Sequence, residues 1–472
     1  MFDSQFEEGF YKKLVEAGYP EDRILTQYSL SDRWRADIAI MAPGLSQVPM
    51  CIIEVKGHLQ SDRMNILRTK FERNSSNFHF QMYVYSGIDD TLFEFDSNLK
   101  LKKIESFPSY EQLKNKWLEN RTYLSKLNLK NFMVFKSEEF QFGSRLNIII
   151  GENGSGKTQL MKLIYSIMRS LTYRHFTSNE MISSLLTCIA NVFKVNNLAE
   201  LLSDSAISRG KKINIQYELS EAGVEKTANF LITTSEKNTP VEDKISNNLF
   251  QHVANKVIFI PINELLSIFP GFAYMRQIYL ENWPYDKTVS DCINYLGLPT
   301  IQSQGNFYNE IVQEIEKAIH GHIYLNEQTT KFLMQMENSK AIHEIPLVAT
   351  GWCKLGQLLQ LINTGAIYPG SILLWDEPDA NLNPKLICIV AKILLKLANA
   401  GVQVFIATHS LFLLRELEYL SHEQNLTDSI RYISLGKDRV EQADNTYELQ
   451  TILSFEEEIK QEERIIALGG RK

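Results

Sequence analysis

An apolar strand, a glycine-rich loop and a helix follow one another in the middle of the sequence, and this succession most constrains the fold. The segment SRLNIII at 144–150 has the continuous apolar character of a buried strand, and QLMKLIYSIM at 159–168 has apolar residues at helical spacing. Between them lies GENGSGKT, which matches the pattern GxxxxGK followed by Ser or Thr in its proper strand–loop–helix context. The sequence therefore predicts a P-loop domain of the α/β class.

The residue types in this loop are those that bind a nucleoside triphosphate. Glycines let backbone N–H groups approach phosphate oxygens, and the N-terminus of the following helix adds its positive dipole. We expect Lys157 to bridge the β- and γ-phosphates of ATP, and Thr158 to ligate Mg²⁺. The predicted nucleotide-binding residues of the loop are Gly151, Glu152, Asn153, Gly154, Ser155, Gly156, Lys157 and Thr158.

Two later strands supply the acidic and imidazole groups that a P-loop site needs. In SILLWDEPDANLNP, an apolar strand ends at Asp376, which we expect to hold Mg²⁺ largely through water. Glu377 follows it and is the candidate general base for the attacking water. The strand in VQVFIATHS ends at His409, placed to sense the γ-phosphate.

These strands and motifs resemble the ATP-binding-cassette class of ATPases. The LKNF segment before the loop resembles the SMC and RecF-like branch, and the overcoming-lysogenization-defect ATPases belong to the same broad group. The resemblance covers about 124–415 and implies that ATP is sandwiched between two subunits, so that a homodimer or higher homo-oligomer is expected.

The resemblance also places a signature helix at IPLVATGWCKLGQLLQLINTG, where the usual LSGGQ is degenerate. Thr350 and Gly351 look like its Ser–Gly pair, which binds the nucleotide held by the other subunit, and Lys354 adds a cation. The segment VIFIPINELLSIFPGF lies where the class carries its Q-loop, although the sequence does not locate that loop.

The first 105 residues hold a second group of charged residues, at the end of the apolar strand in VPMCIIEVKGH. Side chains alternate faces along a strand, so Glu54 and Lys56 share one face while Ile53 and Val55 face a core. Asp37 lies inside another strand, WRADIAIM, and a buried Asp is costly unless it is paired or metal-bound. Asp37 and Glu54 are therefore candidate Mg²⁺ ligands. Lys56 would orient a metal-bound water or stabilise the transition state, and a surface ion pair on an edge strand is the alternative.

Asp37 followed by the EVK triplet resembles the PD-(D/E)xK nuclease fold, in particular the N-terminal nuclease domain of type I restriction-enzyme R subunits. The resemblance covers about 1–105, with AD in place of the family's PD. Glu8 matches the family's first-helix acid, and Glu7 competes with it for that role. The segment QMYVY fits the family's Q-x-x-x-Y pattern, but we predict a strand there where the family has a helix.

The predicted fold is α/β, with a restriction-endonuclease-like domain followed by a P-loop ABC-class ATPase domain with a helical lid. We place the first domain at 1–105, a helical connector at 106–123 and the ATPase domain at 124–472. The lid is expected at about 160–345, and a charged C-terminal helix at about 446–468. Because heptads are not sustained between the P-loop and the second acid, we expect a compact lid rather than a coiled-coil arm.

Charge, cysteine spacing and apolar content indicate where in the cell the protein acts. The formal net charge is −7, so contact with nucleic acid requires a local basic patch. The five cysteines form no CxxC pair, which argues against a zinc site and favours a reducing compartment. No apolar run approaches the roughly 20 residues of a membrane helix, and the acidic start lacks a signal peptide. We expect a cytoplasmic protein without a membrane partner.

These features favour an ATP- and Mg²⁺-dependent endonuclease that acts on nucleic acid, with double-stranded DNA preferred, and an ATPase dimer that gates the nuclease. Bacterial antiphage defence is expected from the resemblance alone. A first alternative is a sensor, whose ATPase binds and releases a separate effector protein and whose N-terminal domain does not cut. A second alternative is a DNA repair enzyme with the same chemistry.

Overall fold

The computed structural model divides the chain into two compact units, one formed mainly by residues 1–121 and the other mainly by residues 122–472. It describes residues 5–31, 34–41, 49–58, 65–69, 81–95, 100–119, 122–173, 177–203, 212–221, 224–232, 244–245, 256–278, 284–300, 305–326, 328–337, 339, 341–424, 430–436, 439–449, 460–461 and 463–468.

The first unit is built on a six-stranded sheet. Its strands are β1 (Ile24–Ser31), β2 (Trp34–Met41), β3 (Pro49–Lys56), β4 (Gln81–Ser86), β5 (Thr91–Phe95) and β6 (Leu101–Ile104). They lie side by side in chain order, and all neighbours are antiparallel except the parallel pair β3 and β4. The segment QMYVY is thus a strand, as predicted, whereas β6 was not expected from its lysine-containing sequence LKKI.

Alternation along β3 decides which of its side chains enter which core. Ile53 and Val55 pack in a buried cluster with helix α1 (Gln5–Glu16), which the sequence predicts from its apolar spacing. Ile52 lies in a separate cluster on the opposite face of the sheet. Glu54 and Lys56 therefore share a face that is not the face of α1.

The helix after residue 105 packs onto the first unit. Helix α2 (Tyr110–Glu119) places Leu113 in the same buried cluster as Ile53, and Tyr110 and Trp117 pack against that cluster. The first compact unit therefore includes the segment that the sequence pattern assigns to a connector.

The second unit contains a six-stranded sheet that carries the predicted motifs. Its strands are β9 (Leu146–Gly151), β13 (Val257–Ile260), β17 (Ile372–Asp376), β18 (Gln403–Thr408), β19 (Ile430–Leu435) and β20 (Val440–Ala443). Their order is β13-β17-β18-β9-β19-β20, and all neighbours are parallel except β20, which is antiparallel to β19. β9, β17 and β18 are buried along their whole length, as their continuous apolar sequences predict.

Two further sheets belong to this unit. One has the order β12-β11-β10-β7-β8 and the other the order β14-β15-β16. These strands are β7 (Tyr123–Phe132), β8 (Phe135–Gln141), β10 (Ile213–Glu221), β11 (Val224–Ile232), β12 (Lys244–Ile245), β14 (Gly321–Asn326), β15 (Lys331–Met336) and β16 (Ile342–Glu344).

Eight described helices of ten or more residues lie in the second unit, except that residues 305–309 at the start of one of them group with the first unit. They are α3 (Lys157–Ser170), α4 (Ser178–Phe193), α5 (Phe269–Ile278), α6 (Lys287–Leu296), α7 (Gly305–Ile319), α8 (Thr350–Asn363), α9 (Pro384–Asn399) and α10 (Leu411–Glu423). Between the P-loop and the second acid, the longest helix in the described ranges is α4, with 16 residues. Residues 160–345, which we predict as a helical lid, hold strands β10 to β16 as well as short helices, and β13 among them belongs to the central sheet.

Only part of the predicted C-terminal helix can be compared with the structure. Thr446–Glu448 form a short 3-10 helix rather than the start of a long one: Asn445 caps its N-terminus, and the helix ends at Leu449, whose backbone is extended. Residues 460–461 and 463–468 are helical, and the rest of the predicted helix lies outside the described residues. Within the described part of the chain, the helices are too short or too polar to span a membrane.

Candidate functional site

Three parallel strands bring the predicted nucleotide-binding residues to one edge of the central sheet. β18 pairs with β9 on one side and with β17 on the other. Because the strands are parallel, their carboxyl ends meet, and the residues that follow them line one crevice. The P-loop, the Asp376–Glu377 pair and His409 therefore converge at this edge, as their expected roles require.

Glycines shape the loop between β9 and α3. Gly154 and Gly156 have φ of +82° and +98°, in the left-handed region that favours glycine. A Cβ atom on Gly156 would lie 2.5 Å from Val134 Cγ2 and 2.8 Å from Phe135 Cζ, so a side chain does not fit there. The loop leaves the sheet at buried Gly151 and exposes Glu152, Asn153, Gly154 and Thr158, while Ser155 is half-buried.

Lys157 is the first residue of α3 and is held inside the curve of the loop. Its side chain is only 6% exposed, and its Nζ donates to the carbonyl oxygens of Gly151 at 2.7 Å and Glu152 at 3.1 Å. Burial lowers the pKa of Lys157, and the charge of Glu377, whose Oε1 lies 4.0 Å from the ammonium, opposes that shift. The ammonium is thus placed between the loop and the acid pair.

Thr158 and Asp376 fit a magnesium ion. The Thr158 hydroxyl donates to Asp376 Oδ2 at 2.8 Å, whereas the buried Asp376 Oδ1 has no hydrogen-bond partner. Burial raises the pKa of Asp376, because the surrounding groups do not fully replace the water that would stabilise the ionised carboxylate. A hard cation beside this oxygen and a hydroxyl would supply the compensation, since Mg²⁺ prefers oxygen ligands.

Glu377 has a backbone conformation that few non-glycine residues adopt. Its φ is +49°, its N–H donates to the Ala407 carbonyl at 2.9 Å, and its carbonyl accepts from Lys354 Nζ. The side chain of Glu377 is 7% exposed. Its Oε2 lies 2.7 Å from His409 Nδ1, which is close enough for an ion pair, but this oxygen has no hydrogen-bond partner because the ring is not aligned with it. Burial raises the pKa of Glu377, and His409 opposes this shift. A carboxyl group with a raised pKa, oriented by an imidazole, is suited to accept a proton from water.

A cavity of about 320 Å³ opens beside the P-loop. Loop residues Glu152–Ser155 line one side, and Phe135, Lys136 and Arg439 are among the residues that line the remainder. This cavity therefore adjoins the loop that the sequence predicts to bind phosphate.

The predicted signature residues lie at the start of α8. Thr350 is exposed and Gly351 is buried against the turn that follows Glu377. A Cβ atom on Gly351 would lie 3.0 Å from the Asn381 carbonyl oxygen and 3.0 Å from Leu382 Cδ2. The first turn of α8 therefore packs on the acid turn of the same chain, and the predicted contact with another subunit's nucleotide stays a prediction.

Two hydrogen bonds near this edge of the sheet were not predicted from the sequence. Thr408 Oγ1 donates to Asp379 Oδ1 at 2.7 Å and so ties the end of β18 to the turn after Asp376. Leu265 N donates to the buried Gln357 side chain of α8 at 2.7 Å, just after β13. The proximity of Asp379 to the acid pair in sequence was an available signal, whereas no sequence pattern pairs Gln357 with Leu265.

The N-terminal candidate residues also meet. Lys56 Nζ lies 2.8 Å from Asp37 Oδ2 and 2.8 Å from Glu54 Oε2, and Val55 N donates to Asp37 Oδ2 at 2.7 Å. Glu54 is 2% exposed and β3 is an inner strand, which differs from the surface ion pair on an edge strand of the alternative interpretation, although the side chains of Asp37 and Lys56 are 15% and 26% exposed. Burial raises the pKa of Asp37, and the neighbouring Glu54 adds to the shift. Burial opposes protonation of Lys56, yet Glu54 and Asp37 together raise the pKa of Lys56.

Burial distinguishes the two acids of α1. Glu7 is buried and accepts from Gln27 Nε2 at 3.0 Å, whereas Glu8 is exposed and pairs with Lys12. In the described ranges, no three or more His, Cys, Asp or Glu side chains lie close enough together to hold a metal ion. Asp37 and Glu54 alone still fit Mg²⁺, which is commonly bound by one or two carboxylates with water and substrate phosphate.

Comparison with protein families identifies the ATPase part. Residues 123–344 match the family described as "AAA ATPase domain". Residues 353–415 match the family described as "AAA domain, putative AbiEii toxin, Type IV TA system". Both matches are to ATPase-domain families, and each covers less than half of the chain. The first match includes the P-loop and the second includes Glu377 and His409, so the residues at this edge of the sheet lie within the matched ATPase domains.

Individual relatives match over a shorter range. The DNA replication and repair protein RecF of Francisella tularensis subsp. novicida (strain U112) is 38% identical over 61 residues, and RecF of the holarctica strain LVS gives the same values. These 61 residues are 13% of this chain and 18% of each relative, so the chain spans less than a fifth of the curated relatives it matches.

Solved structures with distant similarity cover more of the chain. The SMC head domain from Thermotoga maritima is 14% identical, with 68% of this chain and 98% of that chain covered and a TM-score of 0.37. The SmcHead bound to the C-winged helix domain of ScpA is also 14% identical, with 68% and 97% covered and a TM-score of 0.42.

Proposed function

We propose that this ATPase is an ATP-dependent and Mg²⁺-dependent DNA endonuclease, in which the second unit hydrolyses ATP and the first unit cuts the phosphodiester backbone. The observation that carries the proposal is the Asp37–Lys56–Glu54 cluster, in which Glu54 is buried while the side chains of Asp37 and Lys56 are 15% and 26% exposed. Two carboxylates that share one ammonium and are largely withdrawn from water are costly to keep ionised, and a bound cation would offset that cost. A cation site for a phosphodiester is the chemistry that this donor set fits best.

In the ATPase site, we assign the following roles to the residues. Lys157 contacts the β- and γ-phosphates and neutralises charge as it develops. Thr158 and Asp376 hold Mg²⁺, which stabilises charge on the phosphate oxygens when it is bound. Glu377 takes the proton of the attacking water, and His409 orients the carboxylate of Glu377 and senses the γ-phosphate.

The ATPase acts as a homodimer or a higher homo-oligomer. Thr350 is exposed at the N-terminus of α8, where the backbone N–H groups and the helix dipole favour an anion. With Gly351, it binds the γ-phosphate of the nucleotide held by a second copy of the chain. ATP binding therefore pairs two chains, and hydrolysis separates them.

In the nuclease site, Asp37 and Glu54 hold Mg²⁺, which supplies charge stabilisation and an activated water when it is bound. Lys56 stabilises the negative charge that develops on the scissile phosphate. Each active site cuts one strand, so pairing two chains allows a double-strand break. This gating restrains a nuclease that would otherwise damage its own host.

The biological setting follows from the relatives and is part of the proposal. The RecF relatives are named as DNA replication and repair proteins, which supports DNA as the substrate, and we propose the double-stranded form. The second matched family is described as a toxin of a toxin–antitoxin system, which accords with restrained self-damage in bacterial antiphage defence. We propose that the protein acts in the cytoplasm.

A sensor is the second candidate function. Both carboxylates of the N-terminal cluster are bonded to Lys56, and the described residues offer no third ligand beside them. In this case, the N-terminal unit binds nucleic acid without cutting it, and the ATPase holds and releases a separate effector protein.

A cleavage assay separates the two functions. The purified chain is incubated with supercoiled plasmid, linear duplex, single-stranded DNA or RNA, with Mg²⁺ and with or without ATP. Nicking and linearisation of the plasmid that require both Mg²⁺ and ATP are expected for the endonuclease. Normal ATP turnover with every substrate left intact would favour the sensor.

Replacing Lys157 with Ala is expected to weaken ATP binding by about 10- to 100-fold, because charge-assisted hydrogen bonds to phosphate are lost. Titration with a fluorescent ATP analogue measures the affinity. Lys162→Ala is the matched control, since Lys162 lies on the same helix but pairs with Asp286 at 2.7 Å. Equal affinities for Lys157→Ala and the parent would contradict the assignment of the P-loop lysine.

A further inference from the structure

Lys354 is a lysine buried in the core of the ATPase unit. Its side chain is 2% exposed, and burial lowers the pKa of Lys354 to about 8 even though Asp379, Glu377 and Asp376 favour its charged form. A buried ammonium is costly, since burial removes it from water. Such a group is retained where its hydrogen bonds hold something in place.

The partners of this ammonium are main-chain atoms of the catalytic turn. Lys354 Nζ donates to the carbonyl oxygen of Glu377 and, at 3.3 Å, to that of Ala380. One side chain of α8 therefore spans both ends of the four-residue turn that begins at the proposed base. The contact reaches the backbone of Glu377 and leaves its carboxylate available for water.

The backbone at this point needs support. A non-glycine residue with a φ of +49° lies in the left-handed region, and such a conformation persists only where the surroundings impose it. Three hydrogen bonds fix the peptide groups of Glu377: its N–H donates to the Ala407 carbonyl, and its carbonyl accepts from the Ala380 N–H at 3.1 Å and from Lys354 Nζ. The first partner belongs to β18, the second to the turn itself and the third to α8.

We propose that Lys354 is a positioning residue for ATP hydrolysis, which sets the orientation of the Glu377 carboxylate through the Glu377 and Ala380 carbonyl groups. The inference rests on the proposed role of Glu377 as the base. Because Lys354 lies one turn after Thr350 and Gly351, the start of α8 and the acid turn move as one body. Contact of a second copy's nucleotide with Thr350 is thereby transmitted to Glu377 in the same chain.

Lys354→Met keeps the length and apolar body of the side chain and removes its donors. We expect kcat for ATP to fall about 10-fold or more, since small misplacements of catalytic groups are costly, while the affinity for ATP stays within about twofold of the parent. Lys256→Met is the matched control. Lys256 is a half-buried lysine whose ammonium, like that of Lys354, donates to a backbone carbonyl, but its acceptor is Gly365 at 2.8 Å and not a residue of the catalytic turn.

A double-mutant cycle distinguishes positioning from general stability. If Lys354 acts through Glu377, Lys354→Met causes no further loss in a Glu377→Gln background, because the group that it orients is already disabled. Lys256→Met is expected to leave kcat unchanged in both backgrounds. If Lys354→Met does not fold, Lys354→Gln retains an N–H donor and is put through the same cycle.

Each outcome has a definite meaning. Multiplicative losses in the cycle, a change in ATP affinity alone, or an equal loss with Lys256→Met would overturn the positioning role. Full activity of Lys354→Met beside a slow Glu377→Gln would overturn it too, while leaving the proposed base in place. Full activity of Glu377→Gln would instead remove the base and the inference together.

Discussion

Glu377→Gln is expected to lower ATP turnover by about 1000-fold while ATP binding is retained. The amide has nearly the same shape as the carboxylate but cannot accept a proton, and general-base catalysis typically contributes 10²–10⁴-fold. The position is well defined for this test, since Glu377 is buried, lies 4.0 Å from Lys157 and is 2.7 Å from His409. Single-turnover hydrolysis and nucleotide titration separate the chemical step from binding.

The same variant is expected to accumulate the ATP-bound dimer. If two copies close on ATP and separate after hydrolysis, blocking hydrolysis shifts the population to the closed form. Light scattering with and without ATP measures this shift. Glu314→Gln is the control, because Glu314 forms an ion pair with Lys396 at 2.7 Å, and neither residue has a proposed role in ATP hydrolysis. Parent-like turnover in Glu377→Gln would exclude this residue as the base, and a monomer under all conditions would exclude the sandwich.

The ATPase fold is the part of the molecule that the sequence predicts best. The P-loop and the acid pair are local patterns, in which a few adjacent residues specify strand, loop and helix together. The strand order that brings them to one edge is not local, yet parallel strands with buried faces leave few alternatives. The predicted convergence of Lys157, Asp376 and His409 therefore required only the general rule for ligand sites in parallel sheets.

The contacts of α8 could not be predicted in this way. The sequence marks Lys354 as a cation near a degenerate signature, but its hydrogen bonds go to main-chain carbonyls, which carry no residue-specific signal. The left-handed backbone conformation of Glu377 could not be predicted either. Such a conformation is usually signalled by glycine or asparagine, and this position has glutamate. Tertiary contacts override the local preference at this point.

In the first unit, alternation predicts the faces of β3 but not the choice between the two acids of α1. Glu7 and Glu8 are adjacent, and only the rotation of the helix against the sheet buries one of them. Strand β6, which the sequence does not predict, is only four residues long, and two of them are adjacent exposed lysines. Its sequence LKKI therefore lacks the alternation of apolar and polar residues that marks a strand. Sequence patterns thus locate the Asp37–Lys56–Glu54 cluster without defining everything that surrounds it.

Asp37→Ala and Lys56→Ala are each expected to reduce Mg²⁺-dependent DNA cleavage by about 100-fold or more and to leave ATP turnover unchanged. The first removes a metal ligand and the second removes the cation that stabilises the scissile phosphate, and losses of this size are typical for such groups. Nicking and linearisation of supercoiled plasmid measure cleavage, and phosphate release measures ATP turnover on the same samples. The ATPase is spared because neither residue belongs to its site.

Lys12→Ala is the matched control for this pair. Lys12 lies in the same unit and forms an ion pair with Glu8 at 2.7 Å, but that pair is exposed and contributes little. Its cleavage rate is expected to equal that of the parent. This comparison shows whether loss of cutting reflects the chemistry of the buried cluster or merely the loss of an ion pair in the first unit.

Acidification provides an independent check on the same cluster. Burial and the charge of Glu54 raise the pKa of Asp37, so this carboxylate becomes protonated at a higher pH than an exposed Asp. Metal binding requires the ionised form, and cleavage is therefore expected to fall as the pH drops through that raised value, before the fold is lost. Cleavage by Asp37→Ala or Lys56→Ala at the parental rate would contradict the nuclease assignment. A parent that cuts no substrate at any pH, with normal ATP turnover, would leave the sensor as the function of this chain.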